Sequence, residues 1–160
     1  MLRDEINIDG ELIAFQKWWL LDEQVTMLIP DGFLAMSKKQ ILLHYPHDQQ
    51  PHTVICNYKD AYLQLYYDVE KLNMAHSVDE TLSTIKYRSD CKILAKGNYP
   101  SELGEIEFLN YILASDFSLM WTLRINRKKM MAFASAPADD SKSAYWQAVF
   151  WRILSSIQKA

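Results

Sequence analysis

Three long apolar runs, residues 105–114, 117–126 and 129–136, follow one another with short polar breaks between them, at Ser115-Asp116 and Asn126-Arg127-Lys128. Parallel strands need a crossover of roughly a dozen residues or more, so runs joined this tightly pair antiparallel, as a meander. A run at about 92–98 leads into the first of them. A sheet of this kind has an apolar face that must be covered. The segment after the meander supplies a cover. Pro137-Ala138-Asp139-Asp140 introduces a helix expected to reach about Gln158, in which Trp146, Val149, Phe150, Ile153 and Ile157 recur at offsets of 3, 4, 7 and 11. That spacing is one helical stripe.

The first half of the chain alternates strand and helix signals. Apolar residues around Asp9-Gly10 predict a hairpin over residues 4–21. Val25–Ile29 reads as a strand stopped by Pro30-Asp31-Gly32. Ser37 and Gln40 have capping-box spacing and open a short helix that ends before Tyr45-Pro46. Residues 53–58 and 61–69 predict two strands joined by Lys59-Asp60. A second capping box, Ser77 with Glu80, opens a helix with Val78, Leu82 and Ile85 on one face. Helices segregated from an antiparallel meander give an α+β fold. Residues 1–24 read as an N-terminal extension or hairpin packed on a single domain, 25–160.

Composition excludes several classes. With 49% hydrophobic residues and 4 glycines in 160, the chain is neither disordered nor linker-rich. Its net charge of −3 disfavours nucleic acid, because phosphate binding draws on an excess of Lys and Arg. No stretch approaches the roughly 20 apolar residues of a membrane span. Arg3, Asp4 and Glu5 stand where a signal peptide needs an apolar core. Cys56 and Cys91 are then expected to be reduced, and the expected location is the cytoplasm.

The segment Ile29-Pro30-Asp31-Gly32-Phe33 through Met36-Ser37, then Tyr45-Pro46, then Pro51, is similar to the opening of the PsbP/DcrB-like superfamily. That group includes photosystem II extrinsic subunits, a Ran-binding nuclear import factor, DcrB-type proteins and the Eag chaperones of type VI secretion. The close of the chain is similar too: a meander, an acidic turn, a helix with Trp146 and a terminal Ser155-Ser156-Ile157. The resemblance covers about residues 25–158. It implies an α/β/α sandwich around a central antiparallel sheet, and binding rather than catalysis, with no cofactor. Residues 1–24 lie outside that pattern, and with Arg3, Asp4 and Glu5 near its start the chain is expected to differ from the exported members, which carry a signal peptide or lipoprotein cysteine.

Several constellations compete for function. His44, His47 and His52, with Cys56 beyond, are donors of the kind zinc takes, against the plainer reading of a solvated loop. Ser37, His44 and Asp48, or Cys91 with a histidine, supply the residue types of a hydrolase, yet no G-x-S-x-G, HExxH or glycine-rich phosphate loop is present. Arg124, Arg127, Lys128 and Lys129 form a basic tip that either docks an acidic partner or keeps a hairpin end soluble. Tyr58, Tyr62, Tyr66 and Tyr67 crowd one hairpin, with alternation placing Tyr62 and Tyr66 on one face and Tyr67 on the other. Trp18-Trp19 must point to opposite sides of a strand, and Trp151 lies off the main stripe of the last helix.

Tyr and Trp are enriched where proteins meet proteins. The expected partner surface therefore draws on Trp18, Tyr62, Tyr66, Trp151, Arg127, Lys128 and Lys129, while Trp121 and Trp146 are expected in the core. The leading expectation is a non-catalytic, cytosolic protein-binding module, an accessory chaperone or an immunity-type partner of a secreted or toxic protein. A small-ligand or metal site at the histidine loop and a cryptic hydrolase are the alternatives. A homodimer is also expected, because strand edges and aromatic surface need covering.

Overall fold

The computed structural model describes residues 4–8, 10–20, 23–44, 54–58, 61–67, 69–71, 76–138 and 143–160. The predicted hairpin forms from β1 (Asp4–Ile8) and β2 (Glu11–Leu20), with Ile8 opposite Glu11 and Gly10 at φ 82° in the turn. The second half of β2 pairs with β3 (Val25–Pro30), and β3 in turn pairs with a short last strand, β11 (Gln158–Lys159). These four make one sheet in the order β1-β2-β3-β11.

A second sheet has the order β4-β5-β6-β10-β9-β8-β7. Its strands are β4 (Leu34–Ala35), β5 (Val54–Tyr58), β6 (Ala61–Tyr66), β7 (Cys91–Ser101), β8 (Gly104–Leu113), β9 (Asp116–Ile125) and β10 (Lys128–Pro137). The meander runs β7 to β10 as expected, all antiparallel. Its connections are two-residue turns, and at Asn126-Arg127 both residues take positive φ (50° and 67°), the conformation that matches a two-residue hairpin to the twist of its strands.

The helices are α1 (Lys38–His44), α2 (Val78–Ile85) and α3 (Ser143–Ser155). The first capping box is reciprocal: Gln40 N–H donates to Ser37 Oγ (3.2 Å) and Ser37 N–H to Gln40 Oε1 (2.9 Å). The second is offset. Glu80 N–H donates to Ser77 Oγ (3.0 Å), but the Glu80 carboxylate accepts from the His76 amide (2.8 Å).

Alternation divides the seven-stranded sheet into two faces. Phe117, Leu119, Trp121, Leu123 and Ile125 of β9, with Met130, Ala132 and Ala134 of β10, enter a core shared with β2, β3 and the apolar stripe of α3. Met120, Met131, Leu109, Tyr111 and Tyr66 face the other way, onto Val69, Val78 and Ile85. Strand accounts for 57% of the described residues, in two sheets, so the expectation of one central sheet between helices is met only in its α+β outline.

The last helix is shorter than its stripe predicted. It ends at Ser155, and Gln158–Lys159 become a strand. Ser156, buried, explains the switch: its hydroxyl donates to Ile153 O (2.6 Å) and accepts from the Leu28 amide (2.8 Å), closing the helix and joining the chain to β3.

Candidate functional site

The residues expected to form a partner surface are dispersed. Tyr66 is buried on the α2 face, edge-on to Phe133 at 6.2 Å between ring centres, and Tyr62 shares that face half-buried. Tyr67 packs on the opposite core, as alternation required. Trp18 is partly buried against that core, and its neighbour Trp19, 54% exposed, is the ring left in solvent. The reason is a change of parity along β2: Ile13 and Phe15 are buried in its first half, Leu20 and in part Trp18 in its second. Trp151 is half-buried and meets Phe108 edge-on, ring centres 4.7 Å apart.

The basic tip is largely engaged within the fold. Arg124 donates to both oxygens of Glu70 (2.9 and 3.0 Å) and to the Arg127 carbonyl (3.2 Å). The hydrogen bond from Arg124 holds the Glu70 carboxyl below its usual range, aided by the nearby charges of Arg124, Lys129 and His76. Lys128 lies 5.5 Å over the Tyr67 ring. These contacts tie the β9–β10 turn to the short 3-10 helix Val69–Lys71.

The metal and hydrolase candidates gain no geometry. His47, Asp48 and His52 lie outside the described residues, as do the side chains of His44 and Cys56. Among the described residues no group of three His, Cys, Asp or Glu is placed to hold a metal ion. Ser37 spends its hydroxyl on the α1 cap, and Cys91 is a free, half-buried thiol at the start of β7. No described helix is long and apolar enough to cross a membrane.

A concavity does form where sequence reasoning did not look. A cleft of about 280 Å³ opens between the first half of β2, the turn after β3 and the start of α3. Glu11, Leu12, Ile13 and Ala14 come from β2, Pro30, Asp31 and Phe33 from the turn, and Tyr145, Trp146 and Val149 from α3. Its aromatic floor is a ring array: Phe33 meets Trp146 edge-on at 6.3 Å, Tyr145 meets Trp146 at 4.9 Å, and Trp146 leans on Phe150 at 5.7 Å. Trp146 is thus both core, as expected, and the floor of a site.

The turn is fixed locally. Asp31 N–H donates to Ala14 O (2.9 Å), Gly32 takes φ 99°, and Phe33 N–H folds back on Pro30 O (3.2 Å), which drives the Phe33 ring under α3. The sequence carried the Pro-Asp-Gly signal for this turn but nothing to say that β2 and α3 would flank it. Leu12 is 62% exposed at the rim, beside the carboxylates of Glu11 and Asp31. Among the described residues no Ser, Cys, His, Lys or Arg lines the cleft, and those that do give an apolar recess with two carboxylates at its rim, suited to binding.

Comparison with known proteins places the fold. No family model matches the sequence, and no curated protein does. Among solved structures, cyanobacterial PsbP from Synechocystis sp. aligns over 91% of this chain and 92% of its own, with a TM-score of 0.62 at 13% identity. The T6SS immunity protein TplEi from Pseudomonas aeruginosa aligns over 98% of this chain and 75% of its own, with a TM-score of 0.49 at 11% identity. The chain therefore shares the fold of cyanobacterial PsbP, in keeping with the likeness of its sequence to the PsbP/DcrB-like superfamily.

Proposed function

We propose that this protein is a non-catalytic binding module that holds another protein at the cleft between β2 and α3. The observation that carries the reading is the composition of that cleft: an aromatic floor, an exposed Leu12 and two rim carboxylates, with no Ser, Cys or His among its described lining residues. Recognition needs apolar area in a recess with a few polar groups to set orientation. A hydrolytic site would need a nucleophile and a base in mutual reach.

In its finer form the reading is a cytosolic accessory chaperone or immunity-type partner of a secreted or toxic protein. It is supported by the sequence resemblance and by the absence of a catalytic motif from the sequence. The homodimer expected from open strand edges finds no support at β7. That long outer strand carries a register break between Ile93 and Ala95, Lys92, Lys96 and Pro100, all features that discourage edge pairing.

Affinity capture from cells that make the protein tests the reading. One dominant partner, lost on Leu12→Asp and kept on Lys17→Ala, is the expected result. Leu12 is exposed, so its replacement leaves the core intact. A partner that binds the Leu12→Asp variant as tightly as the wild type removes the cleft from the interaction.

A further inference from the structure

Val25-Thr26-Met27-Leu28-Ile29 of β3 is an uncharged run of β-branched and long apolar residues without glycine. A run of that composition templates pairing with another chain when its strand edge is left open. One edge of β3 is covered by β2 along Phe15–Leu20. Asp31 N–H donates toward β2, to Ala14 O. By alternation the backbone groups of Thr26, Leu28 and Pro30 therefore face the outer edge, in line with the Gln24 carbonyl.

Residues 156–160 meet those outward groups one after another. Ala160 N–H donates to Gln24 O (3.1 Å), and Gln158 lies opposite Thr26 in antiparallel register. The Ser156 hydroxyl accepts from the Leu28 amide (2.8 Å). A side chain does this work because the Ser156 amide is still committed to the last turn of α3, bonding to Arg152 O (3.1 Å) and Ile153 O (3.2 Å). Pro30, next along the edge, has no N–H, and its carbonyl takes the Phe33 N–H (3.2 Å). The covering segment offers little edge of its own. β11 is two residues long, both exposed, and a lysine on a very short outer strand discourages further pairing. Ile157, buried in the main core, holds the segment down.

We propose that residues 156–160 are a guard for β3: they occupy the place that β3 of a second copy of this chain would take, and their release lets two copies pair edge to edge. The occupant is a second copy because it brings the same uncharged run in a self-complementary arrangement. A two-fold axis at Met27 sets Thr26 of each copy opposite Leu28 of the other, the residues whose backbone groups face outward. Main-chain hydrogen bonds across the new edge then replace those made by Ser156 and Gln158.

The test compares two proline variants of the full chain by light scattering over a range of concentrations and by amide exchange followed with NMR. Gln158→Pro removes an N–H directed at β3. Lys159→Pro removes one that alternation directs away from β3, and serves as the control. At low concentration the Thr26 and Leu28 amides of Gln158→Pro should exchange about tenfold faster than in the wild type. As concentration rises, Gln158→Pro should double in mass and regain protection at both amides, while Lys159→Pro keeps the mass of the wild type. Fast exchange without association, unchanged exchange, association that leaves both amides unprotected, or equal association of Lys159→Pro would overturn the proposal. Where Gln158→Pro does not fold, Ser156→Ala carries the test, because it retains β11 and frees the Leu28 amide alone. Its association with renewed Leu28 protection supports the guard, and any other result removes it.

Discussion

Phe108 on β8 and Trp151 on α3 meet edge to face, ring centres 4.7 Å apart and planes at 84°, and the tip of the Phe108 ring lies over Gly97, its cross-strand partner on β7. A Cβ on Gly97 would stand 3.1 Å from Phe108 Cζ. The glycine thus seats the ring, and the ring seats the tryptophan. Gly97→Ala should destabilise the protein, and the cost should shrink when Phe108 is already Leu, a coupling that a double-mutant cycle in denaturant reads directly. Trp151→Ala should cost about 2 kcal/mol, less than a fully buried indole because part of the ring remains in solvent. Additive effects of the two substitutions would show that the ring does not rest on Gly97.

Ser156 joins α3 to β3 through a single hydroxyl. Ser156→Ala leaves the Leu28 amide without its acceptor. A fully buried donor stripped of its partner costs about 1–3 kcal/mol, and the part-buried Leu28 amide should fall at the lower end of that range. The midpoint of urea unfolding should fall accordingly, and the Leu28 amide should exchange with solvent faster than its neighbours in β3. Unchanged exchange at Leu28 would assign its protection to another group.

The Arg124–Glu70 pair predicts an acid-side dependence of stability. Arg124 holds the folded pKa of Glu70 below its ordinary value of 4.5. A carboxyl whose pKa is lowered on folding contributes fully above its unfolded value and loses that contribution as pH falls through the folded value. The Tm of the wild type should therefore exceed that of Glu70→Gln at about pH 6, and the gap should close by about pH 2. Both side chains are substantially exposed, so the gap is small and should narrow further in high salt. A gap equal at both pH values would mean that the ion pair is not its source.

Arg127 separates stability from binding at the basic tip. Its φ of 67° is a conformation that costs an L-residue roughly 1–2 kcal/mol, partly offset in glycine by greater freedom of the unfolded chain. Arg127→Gly should raise stability by about 0.5–1 kcal/mol. If the tip also docks an acidic partner, the same variant should bind it more weakly while melting higher. Stabilisation with unchanged capture would leave the tip a purely structural turn.

The sequence by itself determined the local elements. Strand and helix periods, the Ser37 and Ser77 caps, the Asp9-Gly10 and Pro30-Asp31-Gly32 turns and the tight connections of the meander are short-range signals, and each element formed close to where they placed it. Even the faces at the end of β6 followed from alternation, with Tyr66 and Tyr67, the residue just after the strand, on opposite cores. The end of α3 was misread because its apolar stripe continues through Ile157, while the residue that breaks the helix, Ser156, does so by bonding to Leu28, far away in the chain.

What only the tertiary structure decided was which surfaces come together. The parity change along β2 left Trp19 rather than Trp18 exposed, and no alternation rule reveals a strand that serves different neighbours along its length. The basic tip was visible as charge, but its engagement by Glu70 and Tyr67 required a contact across the fold. The cleft required the most. Its walls come from three segments far apart in the chain, and a recess exists only where packing leaves one, because its shape is a property of the space between elements and not of any one of them.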